Sequence, residues 1–332
     1  MTGSQLLRAL VLALVAMPVA AGAQQATRVY RVALVYTTSP ASELAGPEPV
    51  HPGARAFVHG LRELGYVEGQ NLILERRSAE GKFERFPEII RELVSTRMDV
   101  IVTMANPATR AAKAVTQTVP IVMIASTNPV EAGLVESFAR PGGNVTGLTV
   151  DAGPEITGKR LQLLKELLPR ISRVIFLASK DEVEAEGKTA EAATSKLGLR
   201  LLFAEHAPTQ YAEAFAHIRQ ERPDALLVAQ SAQNFGNRQQ IVDFAAKMRV
   251  PTMYPAREYV DVGGLIAYGV NFDDLSRRLV QYIDRVLKGA NPASLPVERP
   301  NKFDLVINLK TAKALGLTIP PLLVQQADHI IE

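Results

Sequence analysis

The sequence predicts an α/β fold: two doubly wound parallel-sheet lobes joined by a three-crossing hinge. Three observations predict it. One strand–helix unit is written twice along the chain. Its β runs are continuously apolar, as strands become when helices cover both faces of a sheet. Extended passages also fall where the chain would have to leave one lobe for the other.

The first copy opens on the apolar run Val32-Ala33-Leu34-Val35-Tyr36. A helical stretch follows and stops at Leu64-Gly65, a glycine stop signal. Next come a strand at 71–75 and a helix over 86–96 whose apolar positions are Ile89, Ile90, Leu93 and Val94. Val100-Ile101-Val102-Thr103-Met104 is a buried-type strand, and Ile121-Val122-Met123-Ile124 closes the unit after another helix. The second copy keeps the order: strand 173–177, a helix ending at Leu197-Gly198, strand 199–204, helix 211–220, strand 225–229, a helix to about 248, and strand 250–254. Strands alternating with helices of this length imply βαβ units and parallel sheets. A single domain would need one very large sheet. The passages at 140–149, 263–270 and 302–307 are read as the three crossings. The expected division is a leader at 1–23, lobe one at 28–147 plus 258–292, and lobe two at 148–257 plus 293–332.

The leader is read from Arg8 before an apolar run at 9–17, then Ala21-Gly22-Ala23 with small residues at both recognition positions. That is the pattern of a secretory signal peptide, with cleavage expected after Ala23. The run is too short to span a bilayer of ~30 Å. No Cys stands at the cleavage site, so no lipid anchor is expected there. An exported, periplasmic, unlipidated protein is expected. Zero Cys excludes disulfides and thiol catalysis. A net charge of +3 with interleaved signs carries no nucleic-acid footprint.

In open α/β sheets, ligands bind beyond the carboxyl ends of the strands. Three strands of the first copy end in Thr38-Ser39-Pro40, Asn106-Pro107-Ala108-Thr109 and Ser126-Thr127-Asn128-Pro129. Ser or Asn before Pro is the pattern of an N-cap with Pro at the first helical position. Helix N-termini carry unpaired N–H groups and favour anions, so several at one crevice would suit a carboxylate. Capping alone explains any one of them. The facing loops of the second copy carry Ser179-Lys180, Gln230-Ser231 and Tyr254-Pro255-Ala256-Arg257. Arg257 could hold a carboxylate or pair with Glu258. Tyr254, Tyr268 or Phe235 could form an apolar wall.

Several motifs are decoys. Residues 153–160 match the first seven positions of a phosphate-binding loop, but Arg160 replaces the Ser or Thr that would hold magnesium. There is no GxSxG elbow and no GxGxxG fingerprint. The five His show no metal-ligand spacing. No cofactor, no metal and no nucleophile–base–orienter set is expected, and so no enzyme.

Several stretches carry a family resemblance: Gly60 to Asn71, Ala139 to Thr149, Gly158-Lys159-Arg160-Leu161, and the tail Asn308 to Leu317. From about Arg28 onward the chain resembles the ABC-transporter substrate-binding proteins that include tryptophan- and tyrosine-binding receptors. The resemblance implies a type I periplasmic-binding-protein fold and a ligand that is an amino acid or related carboxylate. It also implies a partner ABC permease with its ATPase in the inner membrane; the chain itself is expected to be a monomer. A ligand-sensing module for a membrane receptor would share the fold. The departures fall in the loops: Ala105-Asn106-Pro107 stands for a Gly-Thr-Pro-like stretch, Asn128 for an Asp, Ser179-Lys180-Asp181 for an Asn-Pro-like turn, and Gln230 opens a loop where Asp-Pro is common.

Overall fold

The computed structural model describes residues 28–332 apart from 154, 208 and 209. The leader at 1–23 lies outside the described residues.

Lobe one is built from β1 (Tyr30–Tyr36), α1 (Ala41–Leu44), α2 (Pro52–Glu63), β2 (Leu72–Ser78), α3 (Phe86–Ser95), β3 (Val100–Met104), α4 (Ala105–Val115), β4 (Ile121–Ser126) and β5 (Val145–Thr149). Its five strands run parallel in the order β2-β1-β3-β4-β5. Side chains alternate across a strand, so β1 feeds two cores. Val32, Leu34 and Tyr36 join the core under α2, while Ala33 and Val35 join the core under α3 and α4. Both faces are covered, which is why these runs read as continuously apolar.

Lobe two follows with α5 (Glu155–Leu167), β6 (Arg173–Ser179), α6 (Lys180–Lys196), β7 (Arg200–His206), α7 (Ala212–Glu221), β8 (Ala225–Val228), α8 (Ala232–Gly236), α9 (Arg238–Met248), β9 (Thr252–Tyr254), α10 (Arg257–Asp261) and β10 (Ile266–Val270). The chain then returns to lobe one as α11 (Phe272–Leu287). It ends in lobe two with β11 (Phe303–Asn308), α12 (Leu309–Leu315), α13 (Pro321–Gln326) and β12 (His329–Ile331). The sheet order is β12-β11-β10-β9-β8-β6-β7. Its first five strands in chain order repeat the arrangement of lobe one. Only the β10–β11 pair is antiparallel. β6 also serves two cores, Val174 and Phe176 on one face, Ile175 and Leu177 on the other.

The structure corrects the expected boundaries at 258 and 293. Residues 258–270 belong to lobe two: Tyr259 and Val260 of α10 are buried in its core, and β10 pairs with β9 through Ile266↔Met253 and Ala267↔Tyr254. Within that stretch Ile266–Val270 is thus the fifth strand of a second winding, and the stretch is not itself a crossing. Residues 293–298 remain with lobe one. Gly142 N–H donates to Ala293 O at 3.1 Å, Val297 N–H donates to Phe138 O at 2.7 Å, and Val297 is buried in a lobe-one core. Likewise 145–149 is the edge strand β5. The crossings are the short pieces after β5, after β10 and before β11. They are tied together by Thr149 N–H to Glu298 O at 3.0 Å, Glu298 N–H to Gly147 O at 3.0 Å, and Asn271 N–H to Lys302 O at 3.0 Å. α11 docks on lobe one because Leu275, Leu279, Val280 and Ile283 form an apolar stripe at helical spacing.

Candidate functional site between the lobes

In both sheets the strand order reverses beside the first strand, between β1 and β3 and between β6 and β8. That switch point opens a crevice at the carboxyl ends, the usual ligand position in such sheets. The two crevices face each other. Thr38, after β1, meets Gly236, at the end of α8: a Cβ on Gly236 would lie 2.8 Å from Thr38 Cγ2. Phe235 of α8 lies 6.5 Å from Phe272 at the start of α11. Burial lowers the pKa of His51 in lobe one; Glu43 opposes the shift, and the Arg238 charge of lobe two adds to it.

Lobe one presents backbone more than side chains. Ala105 (φ +62°), Ala125 (φ +58°) and Asn128 (φ +43°) hold left-handed conformations at the ends of β3 and β4. For a residue with a Cβ this costs about 1–2 kcal/mol, and such strain concentrates at functional sites. The predicted caps are corrected here. Ser39 caps nothing: α1 starts after Pro40 without a side-chain cap, and Ser39 O accepts from Ser78 Oγ at 2.6 Å. Asn106 lies inside the first turn of α4. Its Nδ2 donates to Thr127 O at 2.7 Å, and its Oδ1 accepts from Thr127 N–H at 3.0 Å. It is a clamp between two cleft loops. Asn106→Ala is expected to cost about 1–3 kcal/mol, because it strands the Thr127 groups; a urea midpoint lowered accordingly would confirm it. Asn128 opens a turn, with Ala132 N–H donating to its carbonyl at 2.9 Å, and caps no helix.

Ala108 and Thr109 are buried, and Thr109 Oγ1 bonds Thr103 Oγ1 at 2.8 Å and donates to Ala105 O at 3.0 Å. They support the loop from behind, while Pro107 and Thr127 stay half-buried at its rim. Ser126 is buried and its hydroxyl finds no partner among the described residues.

In lobe two, Ser179 caps α6 through a capping box with Glu182. Lys180 points to solvent toward Glu184 at 3.9 Å, outside the site. Ser231 caps α8 by accepting from Asn234 N–H at 3.2 Å. Tyr254 is core, stacked on Tyr259 with centroids 5.1 Å apart, and walls no cleft. Arg257 is half-exposed and pairs with Asp261 at 3.4 Å, neither with Glu258 nor inward. Tyr268 stacks on Phe303 at 5.9 Å.

Two residues that sequence reasoning missed organise this face. Arg160 is 2% exposed. Its Nε donates to Tyr268 O at 2.8 Å, and its Nη2 donates to Gln230 Oε1 at 3.0 Å and Pro255 O at 3.3 Å. Burial pushes its pKa down to about 10, and the nearby Glu186 carboxylate opposes that shift. Thr157, Arg160, Leu161 and Leu164 share the buried stripe of α5. An Arg at helical spacing within such a stripe was the available signal. Glu258 is the second, held inside at the carboxyl end of β9. Its Oε2 is closed from solvent and unpartnered among the described residues. Burial raises its pKa; a hydrogen bond from its own backbone, Arg238 and Arg257 oppose the rise, and Asp261 adds to it. Among the described residues there is no cluster of three His, Cys, Asp or Glu suited to a metal, and no helix long and apolar enough to cross a membrane.

The family model described as ABC transporter substrate binding protein matches residues 51–331. The chain is similar to a tyrosine-binding protein of Clostridioides difficile, at 25% identity over 282 residues that cover 83% of this chain and 80% of that protein. Two crystal structures superpose with a TM-score of 0.80 at 27% identity, each covering 91% of this chain and 100% of the other. One is a conserved domain protein from Vibrio cholerae; the second is an ABC domain in complex with L-Trp from Streptococcus pneumonia.

Proposed function

The chain belongs to the family of ABC transporter substrate binding proteins, and on that premise we propose that it captures an amino acid, aromatic by preference, between its lobes and hands it to a membrane permease. The observation that carries this reading is the meeting of two switch-point crevices, at Thr38 and Gly236, on opposite sides of a three-crossing hinge. A ligand touching both walls gains contacts in the closed state that the open state lacks, and that difference shifts the population toward closure. The N-terminus of α4, the left-handed residues at the ends of β3 and β4, and the Ser126 hydroxyl suit a carboxylate. Phe235 and Phe272 supply aromatic surface beside it. The relatives that bind tyrosine and L-Trp support the ligand class. Export through a cleaved, unlipidated leader and a monomeric, non-catalytic role complete the proposal.

A thermal-shift panel of amino acids and small carboxylates tests it, since a ligand bound only by the folded state raises the melting temperature. A panel without a shift would sink the ligand class. Closure is tested by Gly236→Val, which puts two methyls where Thr38 already stands. Affinity is expected to fall at least tenfold, about 1.4 kcal/mol, with the radius of gyration in saturating ligand above the wild-type value by small-angle scattering. Equal affinity and equal compaction would show that the lobes do not close on each other there.

A further inference from the structure

We infer that His51 is an acid-sensitive catch on lobe closure: neutral, it caps α2 and lets the lobes meet; protonated, it repels Arg238 of the facing lobe and weakens ligand capture. The inference rests on the closing cleft proposed above. The lobes meet at Thr38 and Gly236. Two residues before Thr38, Tyr36 holds the His51 ring against its own, edge-on with centroids 4.9 Å apart. Two residues after Gly236, the half-buried Arg238 opens α9, its guanidinium 4.9 Å from the Phe235 ring centroid. An imidazole and a guanidinium thus flank one lobe contact from opposite walls.

His51 has a structural task that only its neutral form performs. It is the N-cap of α2, and its Nδ1 accepts from Ala54 N–H at 3.2 Å. The donor is a backbone amide, so Nδ1 must carry a lone pair and the ring proton sits on Nε2. On its other side, the His51 backbone N–H donates to Glu43 O at 2.9 Å. Protonation puts a hydrogen on Nδ1. The cap is then lost, and a positive charge stands at the positive end of a 12-residue helix.

The groups facing the ring are Tyr36 on β1, Glu43 on α1 and Arg238 on α9. Burial keeps Tyr36 a neutral phenol. Glu43 favours the charged imidazole, but it belongs to lobe one and stays beside His51 whether the lobes are open or closed. Of these groups Arg238 alone changes its distance on closure. Burial and Arg238 therefore hold the His51 pKa lower in the closed state than in the open one. Closure expels the proton. Capture is undisturbed above the open-state pKa and weakens as pH falls through the window between the two values.

The experiment locks the cleft. A Cβ on Gly236 would lie 3.3 Å from Thr38 Cβ, close to the ~3.5–4.5 Å of a disulfide. The chain has no Cys of its own, so the leaderless Thr38→Cys/Gly236→Cys variant can form that bond alone. Proton NMR follows the five His rings, and His51 is the signal that His51→Asn removes. In the oxidised variant His51 is expected to titrate below the ordinary value of about 6.5, and adding Arg238→Gln should raise its pKa. A His51 pKa indifferent to Arg238→Gln overturns the inference and leaves the cleft reading standing. A bond that does not form overturns both, since the lobes then do not meet there. Calorimetry with L-tryptophan at about pH 5.5 and about pH 8 reads the consequence for capture. Toward the acid end the wild type should lose at least about threefold more affinity than His51→Asn, whose amide caps a helix without titrating. Equal losses overturn the inference. His51→Ser, a second cap that does not titrate, replaces the Asn variant should that one misfold. L-tryptophan bound at neither pH sinks the proposed ligand class, and the titration of the locked form then decides this inference alone.

Discussion

Replacing Arg160 by methionine is expected to lower the unfolding free energy of the protein by about 3–5 kcal/mol, the range for removing one partner from a buried charged network. The guanidinium is the common donor to Tyr268 O, Gln230 Oε1 and Pro255 O, three groups from three separate segments of lobe two. Without it those acceptors are left unpaired, and Glu186, whose carboxyl burial already raises, loses its compensating positive charge. Thr157 Oγ1, which donates to Glu186 Oε2 at 3.1 Å, cannot replace that charge. The double variant Arg160→Met/Glu186→Gln should therefore cost less than the sum of the singles, since residues sharing a network are not additive. Urea unfolding with an unchanged m-value measures this. Strict additivity would mean that Arg160 and Glu186 do not interact. Where Arg160→Met stays folded, ligand affinity should also fall, because Gln230 and the Pro255 turn lose the group that positions them.

Gly269→Ala is expected to destabilise the protein by about 3 kcal/mol or more. Gly269 lies in β10, and a Cβ there would stand 1.8 Å from Pro255 O and 2.8 Å from Pro255 C. Both are backbone atoms of the turn after β9, and that carbonyl is also held by Arg160. Relief would require β10 to part from β9, opening the sheet at the cleft floor. A helical glycine supplies the control. Gly158 in α5 has only Ala193 Cβ at 3.6 Å, an ordinary contact. Gly158→Ala should thus be neutral or stabilising by up to about 1 kcal/mol, the helix-propensity gain. Thermal melts of both variants separate close approach from a general dislike of substitution. Equal effects at the two positions would refute the close-approach account.

The two-lobed α/β architecture was legible in the amino-acid order alone, because its signals are local. A strand buried on both faces, such as 173–177, is apolar throughout, and a core helix such as α11 repeats its apolar residues every three or four positions. A unit written twice then implies two sheets. The same locality limited the site. The text places Ser39, Asn106 and Asn128 after strands, and they do lie there, yet whether Asn106 caps its own helix or clamps Thr127, 21 residues away, depends on how two loops approach each other. Adjacent letters diverge in the same way: Arg257 and Glu258 are both ionisable and both near the end of β9, but the phase of a five-residue helix turns one to Asp261 and solvent and the Oε2 of the other into the interior. Membership of a lobe was likewise decided in three dimensions. Residues 263–270 read as an extended passage, and only hydrogen bonding to β9 and β11 makes 266–270 a strand of lobe two, because an extended backbone satisfies its N–H and C=O groups through whichever neighbour the fold provides.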